Sequence, residues 1–153
     1  MPPRNLGAGR PTLFDTSILI PYFARGRYSR DVTGAAAPKR LWLSSLVALE
    51  LYVGTRDQAE KRSLDAFVAS FERRQRVLTP THADHVLAGI LLNRRRRLAG
   101  SLEARHHVVD VLVVLSASQI GGTVVTANVE HLGVWAALAR RAGRDVRVRA
   151  PRE

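Results

Sequence analysis

Short, fully apolar runs alternate along this chain with longer stretches in which apolar residues recur every three or four positions. The short runs are typical of buried strands, and the longer stretches predict amphipathic helices. The predicted strands comprise residues 12–14, 41–45, 77–78, 123–126 and 146–148. The predicted helices comprise residues 17–25, 46–54, 56–74, 81–98, 103–120 and 129–141. Residues 26–38 fit either a loop or a weak helix. Because strands alternate with helices, we expect an α/β fold with a mostly parallel sheet.

Several helix boundaries are indicated by capping residues. We expect Ser45 to cap the second predicted helix and Gly54 to end it. Thr81 precedes Asp84 by three residues, which is the spacing of a capping box, so Asp84 fits a capping role better than a catalytic one. The centre of residues 103–120 would also suit a strand, but the length of the stretch and its polar end favour a helix.

Three carboxylates lie within or next to apolar runs. Asp15 directly follows a predicted strand, Glu50 lies among leucine, valine and alanine, and Asp110 lies among valine and leucine. A buried charge is costly unless it is paired or bound to a metal ion. Ligand sites in parallel sheets lie at the carboxyl ends of the strands, where Asp15 and Asn128 are expected. We therefore expect these polar residues to converge at that edge.

Each of these residues also has a plainer interpretation. Asp15 and Asn128 could simply cap the helices that follow them. Glu50 could face solvent, since one face of a helix recurs only every 3.6 residues. Asp110 is hardest to explain in this way, because its neighbours on every side of the helix are apolar.

The charge balance adds a partner class to this picture. The chain has 24 Lys+Arg against 13 Asp+Glu, which gives a formal net charge of +11. Such a surplus favours nucleic acid or an acidic partner, although the arginine bias of a GC-rich genome would also produce it. The densest basic run, Arg94–Arg97, wraps around a predicted helix, so only one or two of its side chains could contact phosphate together. Carboxylates that converge in a basic protein have the charge pattern of a metal-dependent nuclease.

Length and composition restrict the class of protein further. The 153 residues suit one domain, and we divide them into a flexible lead at 1–10, a domain at 11–149 and a tail at 150–153. The sequence contains no cysteine, which excludes disulfides and thiolate metal sites. Neither a membrane-spanning stretch nor a signal peptide is recognisable, so we expect a cytoplasmic protein without a membrane partner.

The order of these residues resembles that of the PIN-domain ribonucleases, in particular the VapC-type toxins. The matching positions are Asp15-Thr16-Ser17 after the first strand, Glu50 with Gly54 four residues on, Asp110 early in an apolar helix, and Thr126-Ala127-Asn128 after a later strand. The resemblance runs from about Leu13 to about Val148. It implies a PIN-like α/β/α sandwich in which Asp15, Glu50 and Asp110 bind metal. It also implies that Asn128 joins these acids as a catalytic residue, supported by Thr16, Ser17 and Thr126.

Two positions depart from the family pattern. Asn128 stands in the place of an acid, and His131 stands where many relatives carry another acid. These departures argue against a second, tightly held metal ion, because each replaces a charged oxygen ligand. Two histidines, His107 and His131, are candidates for contact with RNA.

The resemblance also implies the chemistry and the partners. The expected cofactor is Mg²⁺, with Mn²⁺ as the alternative, because both ions prefer oxygen ligands. The expected reaction is hydrolysis of an RNA phosphodiester that leaves a 3′-hydroxyl and a 5′-phosphate. The expected partners are the RNA substrate, a VapB-type antitoxin that places a basic residue in the acidic site, and a second copy of the chain in a homodimer.

Spacing alone offers further candidate ligands. His82 and His85 are three residues apart, and His106 and Asp110 are four apart, but neither pair has the other ligands of a zinc site. Glu103 lies two predicted helical turns before Asp110. It fits a solvated first-turn acid better than an outer member of the acidic site.

The sequence therefore predicts a Mg²⁺-dependent endoribonuclease that acts as the toxin of a type II toxin–antitoxin pair. The alternative is a non-catalytic PIN-like module that binds RNA or protein, which the charge supports equally well. A metal-dependent enzyme that acts on another phosphate ester would share the same site.

Overall fold

Strands and helices alternate through the part of the chain that the structure describes. In this computed structural model, the described residues are 9–36, 40–100, 103 and 106–152. The strands are β1 (Thr12–Phe14), β2 (Leu41–Ser44), β3 (Val77–Leu78), β4 (Thr123–Val125) and β5 (Arg147–Arg149). The helices are α1 (Thr16–Arg25), α2 (Ser29–Ala36), α3 (Ser45–Val53), α4 (Gln58–Arg73), α5 (His82–Ala99), α6 (Val108–Ser118) and α7 (Val129–Arg141). None of these helices combines the length and the apolar character needed to cross a lipid bilayer.

The described strands form one parallel sheet with the order β3-β2-β1-β4-β5. The central strand β1 pairs with β4 so that Phe14 lies opposite Val125. The two strands therefore end level with each other, and the residues that follow them, Asp15 and Thr126, emerge side by side. The predicted α/β class with a mostly parallel sheet is confirmed.

Helix α6 is the most deeply buried helix around this sheet. Its residues from Val111 to Ala117 are all buried, and it contacts α3, α5 and α7. This surrounding explains why the helix is apolar on every side. Asp110 lies in its first turn and is about one-third exposed, with a side-chain exposure of 34%. The apolar neighbours of Asp110 thus reflect the burial of the rest of the helix.

A buried carboxylate holds the other end of α6. Asp84 is 1% exposed and accepts hydrogen bonds from Gln119 Nε2 at 2.8 Å, Arg144 at 2.7 Å and the Thr81 backbone N–H at 3.0 Å. Burial opposes the ionisation of Asp84, but these bonds and the charge of Arg144 outweigh it and hold its pKa below 3.8. Thr81 and Asp84 form the predicted capping box. These bonds join α5, the end of α6 and the segment after α7, and so orient α6 with Asp110 at its opposite end.

The start of α3 differs from the prediction by one residue. Ser44, not Ser45, is the N-cap: its hydroxyl accepts from the backbone N–H of Leu46 at 3.2 Å and of Val47 at 3.5 Å. The physical reason is that Ser44 still has the extended backbone of β2, which a capping residue requires, whereas Ser45 is already helical. Gly54 ends the helix as predicted.

The helix predicted at residues 103–120 is shorter at both ends. It begins at Val108, after His107 in the N-cap position, and it ends at Ser118. Glu103 therefore lies outside the helix, is exposed, and is 3.4 Å from His106 Nε2. The expectation that Glu103 occupies a helical face two turns before Asp110 is wrong. The ambiguous stretch 26–38 contains α2 up to residue 36, and its last two residues lie outside the described part of the chain.

Candidate functional site

Asp15 joins the ends of β1 and β4. The Ser17 backbone N–H and hydroxyl both donate to Asp15 Oδ1 at 2.5 Å, and the Thr126 hydroxyl donates to Asp15 Oδ2 at 2.6 Å. Asp15 is thus the N-cap of α1, as the plainer interpretation held, and it is also buried at the sheet edge. A carboxylate has about four lone-pair sites, and three are used here. One site on Oδ2 remains for another ligand.

The turn after β4 is built on Thr126. This residue is fully buried, and its hydroxyl accepts from the Asn128 backbone N–H at 3.0 Å. The Ala127 backbone N–H donates to Ser17 Oγ at 2.9 Å, which closes the network between the two turns. The small hydroxyl residues next to the acids therefore set the backbone of the site. Their positions hint at this role, because Thr126 directly follows β4 and Ser17 lies in the first turn of the helix after β1.

Asn128 occupies the N-cap position of α7 but does not cap it. Its side chain is exposed and makes no capping hydrogen bond. The backbone at Asn128 has φ −103° and ψ 54°, which differs from the extended conformation that capping side chains need. The interpretation of Asn128 as a plain side-chain cap is therefore wrong, and its amide is available at the rim of the site.

Glu50 lies on α3 beside both other acids. It is exposed, as the plainer interpretation allowed. Loss of surrounding water raises the pKa of Glu50 above 4.5, and the negative charges of Asp110 and Asp15 raise it further, whereas a hydrogen bond from the Thr16 hydroxyl lowers it. The charges of Asp110 and Asp15 therefore both act on Glu50.

Asp110 faces a histidine from the next helix. His131 Nε2 lies 2.8 Å from Asp110 Oδ2, and the His131 side chain is 41% exposed. The spacing had suggested His106 as a neighbour of Asp110, but His106 instead lies beside Glu103. The spacing of residues along the sequence can predict contacts within one helix, but it cannot predict a contact between two helices.

His107 is a member of the site that spacing did not connect to Asp110. Among the described residues, one group of three metal-ligating side chains has a donor atom of each within 4.8 Å of the others: His107, Asp110 and His131. The rings of His107 and His131 have centroids 5.0 Å apart. The three carboxylates do not form such a close group in the described part of the chain.

The carboxylates fit a hard divalent cation. Asp15 keeps one free lone-pair site, and Asp110 is partly exposed. Loss of surrounding water, and then its acidic neighbours, raise the pKa of Glu50. A cation between them would remove the repulsion that raises the Glu50 pKa. Mg²⁺ usually keeps several waters and takes only one or two carboxylates, so the three acids need not form a close group to bind it.

Comparison with known proteins supports the fold. No protein-family model matches the chain, and no curated protein matches it in sequence. In structure, the chain is similar to one described as "Structure of FitAB bound to IR36 DNA fragment", with a TM-score of 0.60 and 14% sequence identity. The likeness covers 92% of this chain and 94% of that chain. At this identity it concerns the fold, and it confirms the PIN-like α/β/α sandwich that the resemblance implied.

Proposed function

We propose that this protein is a Mg²⁺-dependent endoribonuclease and the toxin of a type II toxin–antitoxin pair. The observation that carries the proposal is the placement of the three predicted acids: Asp15 follows β1, which pairs with β4, while Glu50 and Asp110 lie on α3 and α6, two helices that contact each other. Loss of surrounding water and then the charges of Asp110 and Asp15 raise the pKa of Glu50. A strongly basic chain around an acidic site suits a substrate that is a polyanion.

Each acid has its own part in the proposed site. Asp15, Glu50 and Asp110 hold the Mg²⁺ ion, for which Mn²⁺ is the alternative, and Asn128 contributes its amide at the rim. The ion supplies positive charge that stabilises the phosphate as it reacts. Thr16, Ser17 and Thr126 keep the carboxylates in place through their hydroxyl groups. Water adds to phosphorus, the bond to the 3′-oxygen breaks, and the proton of the water ends on that oxygen, leaving a 3′-hydroxyl and a 5′-phosphate.

The toxin assignment rests on the structural neighbour. The structure of FitAB bound to a DNA fragment is similar to this chain over 92% of this chain and 94% of that one, and it supports the resemblance to the VapC-type toxins. For this chain we propose a VapB-type antitoxin that places a basic side chain among the carboxylates, and a homodimer as the toxin unit. An acidic opening in a cationic protein would attract such a side chain by charge alone.

The test is cleavage of a structured RNA by the purified protein with Mg²⁺ and with a chelator. We expect cleavage only with the metal ion, and a loss of about a hundredfold or more in Asp110→Asn, since even the outer partners of metal sites contribute 10–100-fold. The control is Asp145→Asn, an exposed acid that pairs with Arg10 and lies outside the site. Cleavage with chelator present, or full activity in Asp110→Asn, would rule the proposal out.

A non-catalytic RNA-binding module is the second candidate. It is favoured by the histidine that occupies one oxygen of Asp110, and by the amide at position 128 in place of an acid. In that case no RNA would be cleaved by the wild-type protein. The double variant Asp15→Asn/Asp110→Asn would also bind RNA as tightly as the wild type does.

A further inference from the structure

Nitrogen and oxygen ligands meet at the N-terminal end of α6. His107, Asp110 and His131 each offer one donor atom, and these atoms lie within 4.8 Å of one another. His107 precedes the first residue of α6, Asp110 lies in its first turn, and His131 lies in the first turn of α7. The two helices contact each other, so the fold brings together ligands from separate parts of the chain.

The His107 ring is placed by packing and lacks a polar partner on one side. Its Nδ1 is buried and has no hydrogen-bond partner among the described residues. The ring lies 5.0 Å from the ring of His131 and 5.7 Å from that of Trp135, measured between centroids. Trp135 belongs to the buried core and so restricts the position of the imidazole. A half-buried imidazole that is oriented by its neighbours and has a ring nitrogen without a hydrogen bond is a favourable metal ligand.

The donor set determines which ions are favoured. Imidazole nitrogen suits Zn²⁺ and other first-row transition metals, whereas Mg²⁺ prefers oxygen. Two histidines and a carboxylate are also the protein ligands of one common class of catalytic zinc site, in which a further position stays open. His131 is 41% exposed, so an ion has access from solvent.

The distances are compatible with coordination after a small adjustment. Zinc–ligand bonds of about 2.0–2.2 Å place the ligands of a tetrahedral site about 3.3 Å apart. His131 Nε2 and Asp110 Oδ2 are already 2.8 Å apart, and the largest separation in the group is within 4.8 Å. A side-chain movement of about 1 Å therefore completes the geometry.

We infer that His107, Asp110 and His131 form a binding site for a first-row transition-metal dication of the Zn²⁺ type. The site goes beyond the proposed ribonuclease site: it shares Asp110 with it, but uses neither Asp15 nor Glu50 and needs no RNA. Because Asp110 belongs to both sets of ligands, Zn²⁺ at the histidines competes with Mg²⁺ for that carboxylate.

The test measures metal binding without RNA. The full chain is prepared without a histidine tag, stripped with a chelator, and titrated with ZnCl₂ and separately with MgCl₂ in a calorimeter. We expect one Zn²⁺ per chain, bound at least about tenfold more tightly than Mg²⁺. His107→Ala and His131→Ala should each weaken Zn²⁺ binding about tenfold or more. His131→Asp exchanges nitrogen for oxygen, so it should weaken Zn²⁺ binding and strengthen Mg²⁺ binding.

The matched control is His82→Ala, which removes an exposed histidine from α5. His82 is two residues from Asp84, and Asp84 contacts Gln119 at the opposite end of α6 from Asp110. The rise of the helix puts that end about 13 Å from Asp110. Zn²⁺ affinity should be unchanged in this variant. Circular dichroism checks the fold of each variant. If His107→Ala fails to fold, the variants of the exposed His131 decide the test.

Wild-type protein that binds Zn²⁺ no more tightly than Mg²⁺ would overturn the inference. So would Zn²⁺ affinity that is unchanged in both His131→Ala and His131→Asp. Since no RNA is present, a failure here leaves Mg²⁺-dependent cleavage untouched. Equally, a protein that binds Zn²⁺ as expected but cleaves no RNA would reject the proposed function alone.

Discussion

At the scale of single residues, the acids of the site differ in what surrounds them. Asp15 accepts three hydrogen bonds from the two neighbouring turns, so it is held in place before any ligand arrives. Asp110 shares one oxygen with His131. Glu50 has a bond from Thr16 and two like charges nearby. Of the three, Glu50 is therefore the acid that the fold leaves in the least favourable electrostatic state.

This difference predicts the effect of Glu50→Gln on stability. The pKa of Glu50 is higher in the folded state than in the unfolded state. At a pH between these two values, the folded chain keeps a proton that the unfolded chain has lost. The folded state is thus favoured below pH 4.5, and this advantage disappears as the pH rises through the raised pKa. At pH 7 without divalent ions, Glu50→Gln should unfold at a higher temperature than the wild type. Well below pH 4.5, the two should unfold together.

Thermal unfolding followed by circular dichroism measures this effect. The control is Glu72→Gln, an exposed glutamate on α4, which should match the wild type at both pH values. Addition of Mg²⁺ should stabilise the wild type more than Glu50→Gln. A variant that unfolds at a lower temperature at pH 7 would contradict the repulsion among the acids.

At the scale of elements, the site depends on two neighbouring strands, β1 and β4, whose last residues pair with each other. The pairing of β1 with β4 places Asp15 next to Thr126, and the Thr126 hydroxyl then connects the turn of α1 to that of α7. Helix α6 starts with Asp110 at this edge, and Asp84 ties its other end to α5 and to the segment that follows α7. The local geometry therefore depends on the N-terminal ends of three helices, α1, α6 and α7.

The hydroxyl of Thr126 can be tested by substitution. Thr126→Val keeps the shape of the side chain but removes the hydroxyl that donates to buried Asp15 Oδ2 and accepts from the Asn128 N–H. The expected cost is about 1–3 kcal/mol of unfolding free energy, measured by urea denaturation. Proposed Mg²⁺-dependent cleavage should fall as well, since Asp15 is no longer held in place.

Thr126→Ser is the matched control because it retains the hydroxyl and loses only a methyl group. It should keep most of the activity of the wild type. A change below about 0.5 kcal/mol in Thr126→Val, which is typical of an unconstrained surface position, would show that the network contributes little.

At the scale of the whole molecule, the predicted acids belong to a chain with a net charge of +11. The basic run at the end of α5 is largely exposed: Arg94, Arg96 and Arg97 face solvent, and Arg95 is half-buried. Positive charge near a helix C-terminus is favourable in itself. The same side chains are available to phosphate, as an RNA-binding surface requires.

The charge predicts a strong salt dependence of RNA binding. If three arginines or lysines contact phosphates of single-stranded RNA, affinity should fall about 20-fold between 50 and 200 mM NaCl, from a slope of about 0.7 per contact. Fluorescence anisotropy with Asp110→Asn measures binding without cleavage. An uncharged osmolyte at matched concentration should leave the affinity unchanged, and an affinity that is also insensitive to salt would argue against binding through phosphates.

Much of the fold could be predicted from the sequence because its signals are local. The short apolar runs gave the strands to within about one residue, and the capping box at Thr81 and the glycine at 54 marked real helix boundaries. The predictions failed where two conformations compete at a junction. Ser44 and Ser45 are chemically equivalent, and only the backbone at the end of β2 selects between them. The predicted helix at 103–120 was too long because composition does not mark its true start at Val108.

The sequence by itself determined the alternation of strands and helices and the identity of the acids, since these depend on residue type and spacing along one element. Only the tertiary structure decided which side chains meet. The parallel pairing of β1 with β4 placed Thr126 on Asp15, and the packing of α6 on α7 placed His131 on Asp110. Contacts between elements depend on strand register and on helix packing angle, and the local periodicity of the sequence predicts neither of them. For this reason His107 and His131 became part of one group with Asp110 only in three dimensions.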